Sequence, residues 1–210
     1  KTVLLDMRRA QSLFSQPLRG TLRVGIPDHY GDMIFERVLA EFRRNHPSVD
    51  LFVTSGCSGG FSDAVEAGHL DIAIVSSAES GLGDILETEQ TVWVEGEDFD
   101  LAPEKPLPIA VLDRGCWWSN MPITALSNSG KDFNVTFRSE SFSNVRCAIR
   151  AGLAIGVLPV RAIQPGMRAS PKTRNLPRLP EMVRSLVTSS ECAPELITAI
   201  STTLKKELSP

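Results

Sequence analysis

Cys116 sits in the run Arg114-Gly115-Cys116-Trp117-Trp118, just after an apolar stretch that ends at Asp113. A thiol between a strand and a helix start feels the positive end of the helix dipole, and Arg114 adds a second positive charge. Both favour the thiolate, which makes Cys116 a candidate redox residue; a small apolar cysteine filling core space is the competing reading. Cys57, Cys147 and Cys192 are scattered, and no two cysteines stand in Cys-x-x-Cys spacing. Neither a zinc site nor a thioredoxin-like dithiol is expected, no metal is expected, and the thiols read as reduced. Serines gather where apolar runs end: Ser55 and Ser58 in SGCSGG, Ser76 after DIAIV, Ser141 in SESFSN. A hydroxyl beside free backbone N–H groups at a helix start suits a carboxylate or another anion. Helix capping explains each serine singly as well; several such loops aimed at one cleft favour binding. Asp28, His29, Trp117 and Pro159 hold comparable positions. His29 also reads as a plain loop residue, and Trp117-Trp118 as either a cleft wall or hinge packing. His46 and His69 read as surface residues. The chain has no Gly-x-Ser-x-Gly elbow, no phosphate-binding loop and no Gly-x-Gly-x-x-Gly, so neither an enzyme nor a cofactor is expected.

The pattern of apolar residues supplies the elements that hold these groups. Residues 21–27 read as a strand, and 33–44 as a helix with Ile34, Val38, Leu39 and Phe42 on one stripe. Residues 49–54 form a second strand. The Ser/Gly loop 55–60 leads into a helix over 61–67 that Gly68 closes, and 71–76 is a third strand. Strand and helix alternate, which predicts right-handed parallel crossovers and a sheet covered on both faces. A second unit follows after a joint near 92–98: strand 107–113, a helix capped by Ser119 or Asn120 with Pro122 in its first turn, and strand 133–138. A helix from Ser141 or Ser143 to Arg150 and strand 153–158 complete it. Residues 164–181 read as loop, 185–188 as a last strand, and Leu196, Ile197, Ile200, Leu204 and Leu208 as the stripe of a terminal helix. In open α/β sheets ligands gather beyond the C-terminal strand ends, where Asp28, His29, Ser55, Ser58, Ser76, Cys116, Trp117, Ser141 and Pro159 all fall.

The chain has 210 residues and a net charge of −3. A domain that grips nucleic acid carries a basic patch; the one basic cluster, Arg161, Arg168, Lys172, Arg174 and Arg178, lies among Pro and Gly and reads as a solvated loop. No apolar run approaches the ~18 residues of a membrane span, so no membrane partner is expected. The sequence opens on Lys1, as expected of a fragment or of a chain with its N-terminus removed. Residues 3–14 read as a short helix with little core of its own.

Four segments together carry a family resemblance. Gly20-x-Leu22-x-Val24-Gly25-Ile26 resembles the opening strand of the LysR-type effector domain, and Phe42 with His46-Pro47-x-Val49-x-Leu51 its next segment. Val65-x-x-Gly68-x-Leu70-Asp71-Ile72-Ala73-Ile74 is similar to the family's most specific stretch. The run Val145-x-x-Ala148 through Gly152, Gly156 and Leu158-Pro159 matches its late Gly-rich one. The resemblance implies two Rossmann-like subdomains of type 2 periplasmic-binding-protein fold, 20–94 plus 185–210 and 95–184, joined by a hinge of two chain crossings. Residues 1–16 would be the remnant of a linker helix, preceded by a winged helix-turn-helix that alone reads DNA. The resemblance further implies a cytoplasmic transcriptional regulator, a homodimer or homotetramer, whose cleft takes a small-molecule effector that bridges both walls. The segment 112–116 resembles the reactive-cysteine site of the family's peroxide-sensing branch, whose second cysteine falls on Ala125 here. A periplasmic solute-binding protein of the same fold, and a redox regulator acting through Cys116, are the alternatives.

Overall fold

Leu22, Val24 and Ile26 alternate along β1 (Gly20–Pro27) and are at most 2% exposed. That period of two demands cover on the inner face of a sheet. The structure is a computed structural model describing residues 17–30, 32–78, 83–101 and 105–208, without the side chains of 32–34 and 117. The expected helix over 3–14 lies outside the described residues. β1 pairs in parallel with β2 (Val49–Gly56), from Gly20 opposite Val49 to Pro27 opposite Gly56, and on its other edge with β3 (Ile72–Ser77). Helix α1 (Asp32–Asn45) carries Val38 and Phe42 onto one face. The terminal helix α5 (Pro194–Leu208) adds Leu196, Ile200, Leu204 and Leu208 to the same cluster. Each such buried aliphatic contributes ~1.5–3 kcal/mol over an exposed one. Helix α2 (Phe61–Glu66) covers the opposite face through Phe61 and Val65, against Leu70, Ala73 and Val75. It ends where Gly68 takes φ +70°, the left-handed turn expected of a helix-closing glycine.

The first sheet has the order β2-β1-β3-β10-β4, with β4 at Asp84–Glu89 and β10 at Met182–Thr188. The parallel pairings of β1 with β2 and β3 are those the strand–helix alternation predicts, whereas β10 runs antiparallel to both its neighbours. Between them lie β5 (Thr91–Gly96), β6 (Leu107–Leu112), α3 (Trp117–Asn128), β7 (Phe133–Ser139), α4 (Phe142–Arg150), β8 (Gly156–Pro159) and β9 (Met167–Ala169). β6 pairs in parallel with β7, β5 lies antiparallel between β8 and β9, and a bridge from Ile109 to Ile155 joins the two sets. The resulting order, β7-β6-β8-β5-β9, repeats the arrangement of the first sheet. Its core gathers Trp93, Ile109, Val111, Leu126, Phe142, Ile149, Ile155 and Leu158 among others.

Three sequence readings change. Helix α3 begins at Trp117, with Cys116 in extended backbone at its N-cap. Ser119 lies inside the helix, its hydroxyl accepting a hydrogen bond from the Arg114 N–H at 3.1 Å, and Pro122 lies beyond the first turn. β10 begins at Met182, where the buried charge of Arg184 interrupts an otherwise apolar run. The stretch 164–181 holds β9 and a helical turn, Lys172–Arg174. Its arginines are not simply solvated: Arg168 and Arg174 both pair with the fully buried Glu95, and Arg161 pairs with Glu87 at 2.7 Å.

Candidate functional site

The chain crosses between the sheets at β4–β5 and again on entering β10, and the crossings are pinned by polar contacts. Arg184, 2% exposed, bonds Glu87, lies 2.6 Å from Glu89 and donates to His29 Nε2 at 3.2 Å. Its guanidinium also lies over the Tyr30 ring, 4.8 Å from the centroid, where the ring's electron-rich face attracts a cation. Arg161 adds its backbone N–H to Glu89 at 2.9 Å.

Beyond the C-terminal strand ends, a cavity of about 30 Å³ is enclosed by Asp28, His29, Cys57, Ser58 and Ser76 from the first sheet's loops. Leu112, Arg114, Cys116, Trp118 and Phe142 close it from the second. Three contacts cross it. Arg114 Nη1 lies 2.8 Å from Asp28 Oδ2, angled as an ion pair rather than an aligned hydrogen bond. The His29 ring stacks on Trp118, centroids 6.2 Å apart, and tilts against Phe142 at 6.0 Å. Cys57 and Cys116 face each other there, both lining the cavity on either side of Gly59, where a methyl would lie 3.8 Å from the Cys57 sulfur and 3.4 Å from Cys116 Cβ.

Electrostatics follow from this enclosure. His29 touches the cavity but is surrounded by rings, and burial, then the charges of Arg184 and Arg114, lower its pKa to about 3. Since Arg184 donates to Nε2, the neutral ring carries its proton on Nδ1. Cys116 is held well below the ordinary thiol range. The neighbouring Cys57 thiol is the largest cause, followed by Ser119, whose Oγ lies 3.6 Å from the sulfur, and by the backbone amides of Ser119 and Trp118. Burial opposes this shift. Cys57 is pushed up for the complementary reason, since its proton is held against Cys116. The assignment suits the backbone, because Cys116 precedes a helix of 12 residues and Cys57 only a single turn, Ser58–Gly60.

Of the residues read from the sequence, the structure brings together Asp28, His29, Ser58, Ser76 and Cys116. Ser58 Oγ accepts the Ser76 N–H at 3.3 Å and so ties two loops of one wall. Ser55 lies exposed on β2 away from the cavity, Ser141 caps α4 by accepting the Asn144 N–H at 3.3 Å, and Pro159 pairs with Thr91 in the second sheet. Trp117 opens α3, and its side chain lies outside the described residues; Trp118 supplies the cavity's indole. The cavity also takes in Cys57, Leu112 and Phe142, which sequence reasoning misses. Cys57, inside the SGCSGG loop already aimed at the cleft, carried the one signal that pointed to it. A wider groove of about 510 Å³ runs beside the crossings past Trp93, Ser170, Lys172 and Pro177. It opens to solvent away from the strand ends.

Comparison with known proteins fits this arrangement. Residues 15–209 match the family model of the LysR substrate binding domain. The HTH-type transcriptional regulator PecT of Dickeya dadantii is 27% identical over 190 residues, 90% of this chain and 60% of that protein. DgdR of Burkholderia cepacia, also an HTH-type transcriptional regulator, is 28% identical over 164 residues, 78% of this chain and 56% of that protein. The chain thus spans less than two thirds of the curated relatives it matches. Among solved structures, a Corynebacterium glutamicum OxyR C206 mutant superposes with a TM-score of 0.66 at 18% identity, covering 99% of this chain and 71% of that one. The two sheets with their shared strand order are therefore the type 2 periplasmic-binding-protein arrangement of such regulatory domains, and this chain belongs to the LysR substrate-binding domain family.

Proposed function

We propose that this chain is the sensing part of a LysR-type transcriptional regulator, and that a small polar or anionic effector acts in the cleft between its two units. The units are 20–89 with 182–208 and 91–181, a division supported by the change of sheet at Gln90 and on entry to β10. The observation that carries the reading is the closed cavity where loops of both units meet, crossed by an ion pair, an aromatic stack and a thiol contact. At about 30 Å³ it has room for about two waters, whereas organic ligands occupy ~300–1,000 Å³. A larger effector must widen the cleft and break those contacts. It therefore discriminates between two arrangements, the condition for shifting their populations. In the longer protein the change of angle would reach DNA through an N-terminal winged helix-turn-helix of a cytoplasmic homodimer or homotetramer. No helix among the described residues is long and apolar enough to cross a membrane. No catalytic role or cofactor enters this reading.

Thermal-shift screening against small polar and anionic metabolites tests it. An effector at ~100 times its Kd stabilises by about 2.7 kcal/mol. That gain should fall with Ser58→Ala and Arg114→Gln and persist with Ser55→Ala. A ligand whose gain survives both cleft substitutions acts elsewhere, and the cleft assignment is then wrong.

A further inference from the structure

We propose that Cys57 and Cys116 form a hydroperoxide-reactive dithiol, whose oxidation to a disulfide ties the two units together across the cleft. The residues are distant in sequence and lie on opposite walls, yet both line the same cavity. A methyl group built on Gly59 would lie 3.4 Å from Cys116 Cβ and 3.8 Å from Cys57 Sγ, so Gly59 is the shared floor under both side chains. Both thiols are only partly buried, so a small oxidant can reach them. The cavity of about 30 Å³, room for about two waters, matches a peroxide better than an organic effector.

The roles are unequal. Cys116 stands at the N-cap of α3, with Ser119 Oγ 3.6 Å from its sulfur and Cys57 lining the same cavity beside Gly59. It is the nucleophile, because the thiolate is the attacking species. Its sulfur attacks the distal oxygen of the hydroperoxide, the O–O bond breaks, and the departing alkoxide takes a proton and leaves as the alcohol, or as water from hydrogen peroxide. Cys116 is then a sulfenic acid. Cys57 loses its proton and attacks the Cys116 sulfur; the hydroxide displaced takes up that proton and leaves as water. Two thiols have lost two electrons to one peroxide, and an S–S bond joins the walls. Arg114 is occupied by Asp28 and takes no part in the balance. Cys147, exposed on α4, and Cys192, beside Asp71, line other surfaces and serve as internal controls. The inference is independent of any organic effector, since its readout is thiol chemistry.

The experiment treats the reduced chain with a slight excess of hydrogen peroxide and counts free thiols by alkylation and intact mass. Linked peptides are then mapped without reduction. Free thiols should fall from the four of the sequence to two, with the Cys57 peptide joined to the Cys116 peptide within one chain. In Cys57→Ser the reaction should stop at Cys116 carrying one oxygen, trapped by a sulfenic-acid-specific nucleophile. In Cys116→Ser no thiol should be lost at matched exposure. Four thiols surviving in the parent chain overturn the proposal. So do a link through Cys147 or Cys192, a link between two chains, and loss of two thiols in Cys57→Ser. The parent chain alone decides the matter if either variant fails to fold.

Discussion

Removing Arg184 tests whether the crossings depend on a buried charge network. Its guanidinium is 2% exposed, and it faces Glu87 and Glu89, whose side chains are 10% and 6% exposed. Arg184→Met keeps the apolar stem and deletes the charge, leaving two carboxylates in a poorly solvated layer. Breaking a buried pair by removing one partner costs about 3–5 kcal/mol, because the remaining charge is uncompensated. Glu87 retains Arg161 at 2.7 Å, so the lower end, ~3 kcal/mol, is expected here. For a chain of this size each kcal/mol moves the midpoint by about 2–4 °C, which predicts a fall in Tm on the order of 6–12 °C, read by circular dichroism at neutral pH. Adding Glu87→Gln and Glu89→Gln should restore most of the loss, since neutral amides remove the uncompensated charge. A single-variant cost below ~1 kcal/mol, the range of exposed ion pairs, would refute the argument.

Three further outcomes are expected. His29 has a pKa of about 3 in the folded chain against ~6.5 when unfolded. Stability is therefore full above about pH 6.5 and declines as pH falls toward 3, by up to ~1.4 kcal/mol per pH unit. In His29→Gln that component should vanish, and parallel stability–pH curves for parent and variant across the window would contradict it. Asp71 accepts the Arg23 backbone N–H at 2.7 Å and its Nη2 at 2.7 Å. Burial pushes its carboxyl up, but Arg23 pushes it further down. Its contribution is thus present above the unfolded value near 3.9 and lost below it. Asp71→Asn should lower the urea midpoint at neutral pH, by ~1.5–3 kcal/mol in stability, and the difference should close in acid. Gly25→Ala places a methyl 2.9 Å from both Ala73 Cβ and Leu70 Cδ1; overpacking of that kind costs about 1–3 kcal/mol, and unchanged denaturant unfolding would show that Leu70 and β3 yield freely.

Elements whose apolar residues carry their own period were legible: β1, β2 and β3, the stripes of α1 and α5, and the Gly68 and Gly152 turns, both at φ +70°. The crossings were not. β4 reads DILETE, three acids in six residues, because Glu87 and Glu89 are matched by Arg184 on the neighbouring strand, and no single segment reveals that pairing. β5 reads as a joint in the sequence because its role is set by β8 and β9, distant in sequence. Within the cavity the strand-end rule placed Asp28, His29, Ser58, Ser76 and Cys116, since strand ends are a local property. It could not place Phe142, which is a core residue of α4 by pattern and a cavity residue only because His29 of the other unit leans on it. Ser55 lies elsewhere: it is exposed at the end of β2, next to exposed Thr54, and outside the cavity lining.

The closed cleft is held by contacts of a particular size. The Asp28–Arg114 pair is partly exposed on both sides, 32% and 20%, and pairs of that kind contribute about 0–1 kcal/mol. The His29 stack contributes ~0.5–1.5 kcal/mol, and the thiol contact no more than an ordinary hydrogen bond, about 0.5–1.5 kcal/mol. Their total, on the order of 1–4 kcal/mol by those same ranges, lies below the ~5.5 kcal/mol needed to carry an equilibrium from one extreme to the other. On the proposed reading, closure is therefore favoured without being locked. The crossings differ in kind, because the Arg184 network is buried and costly to break. On the proposed reading, a weak seam across the cleft and a firm one at the crossings would let the walls part while each sheet stays intact. An effector acting on the seam needs only modest preference for one arrangement, whereas a covalent link between Cys57 and Cys116 would remove the open one altogether.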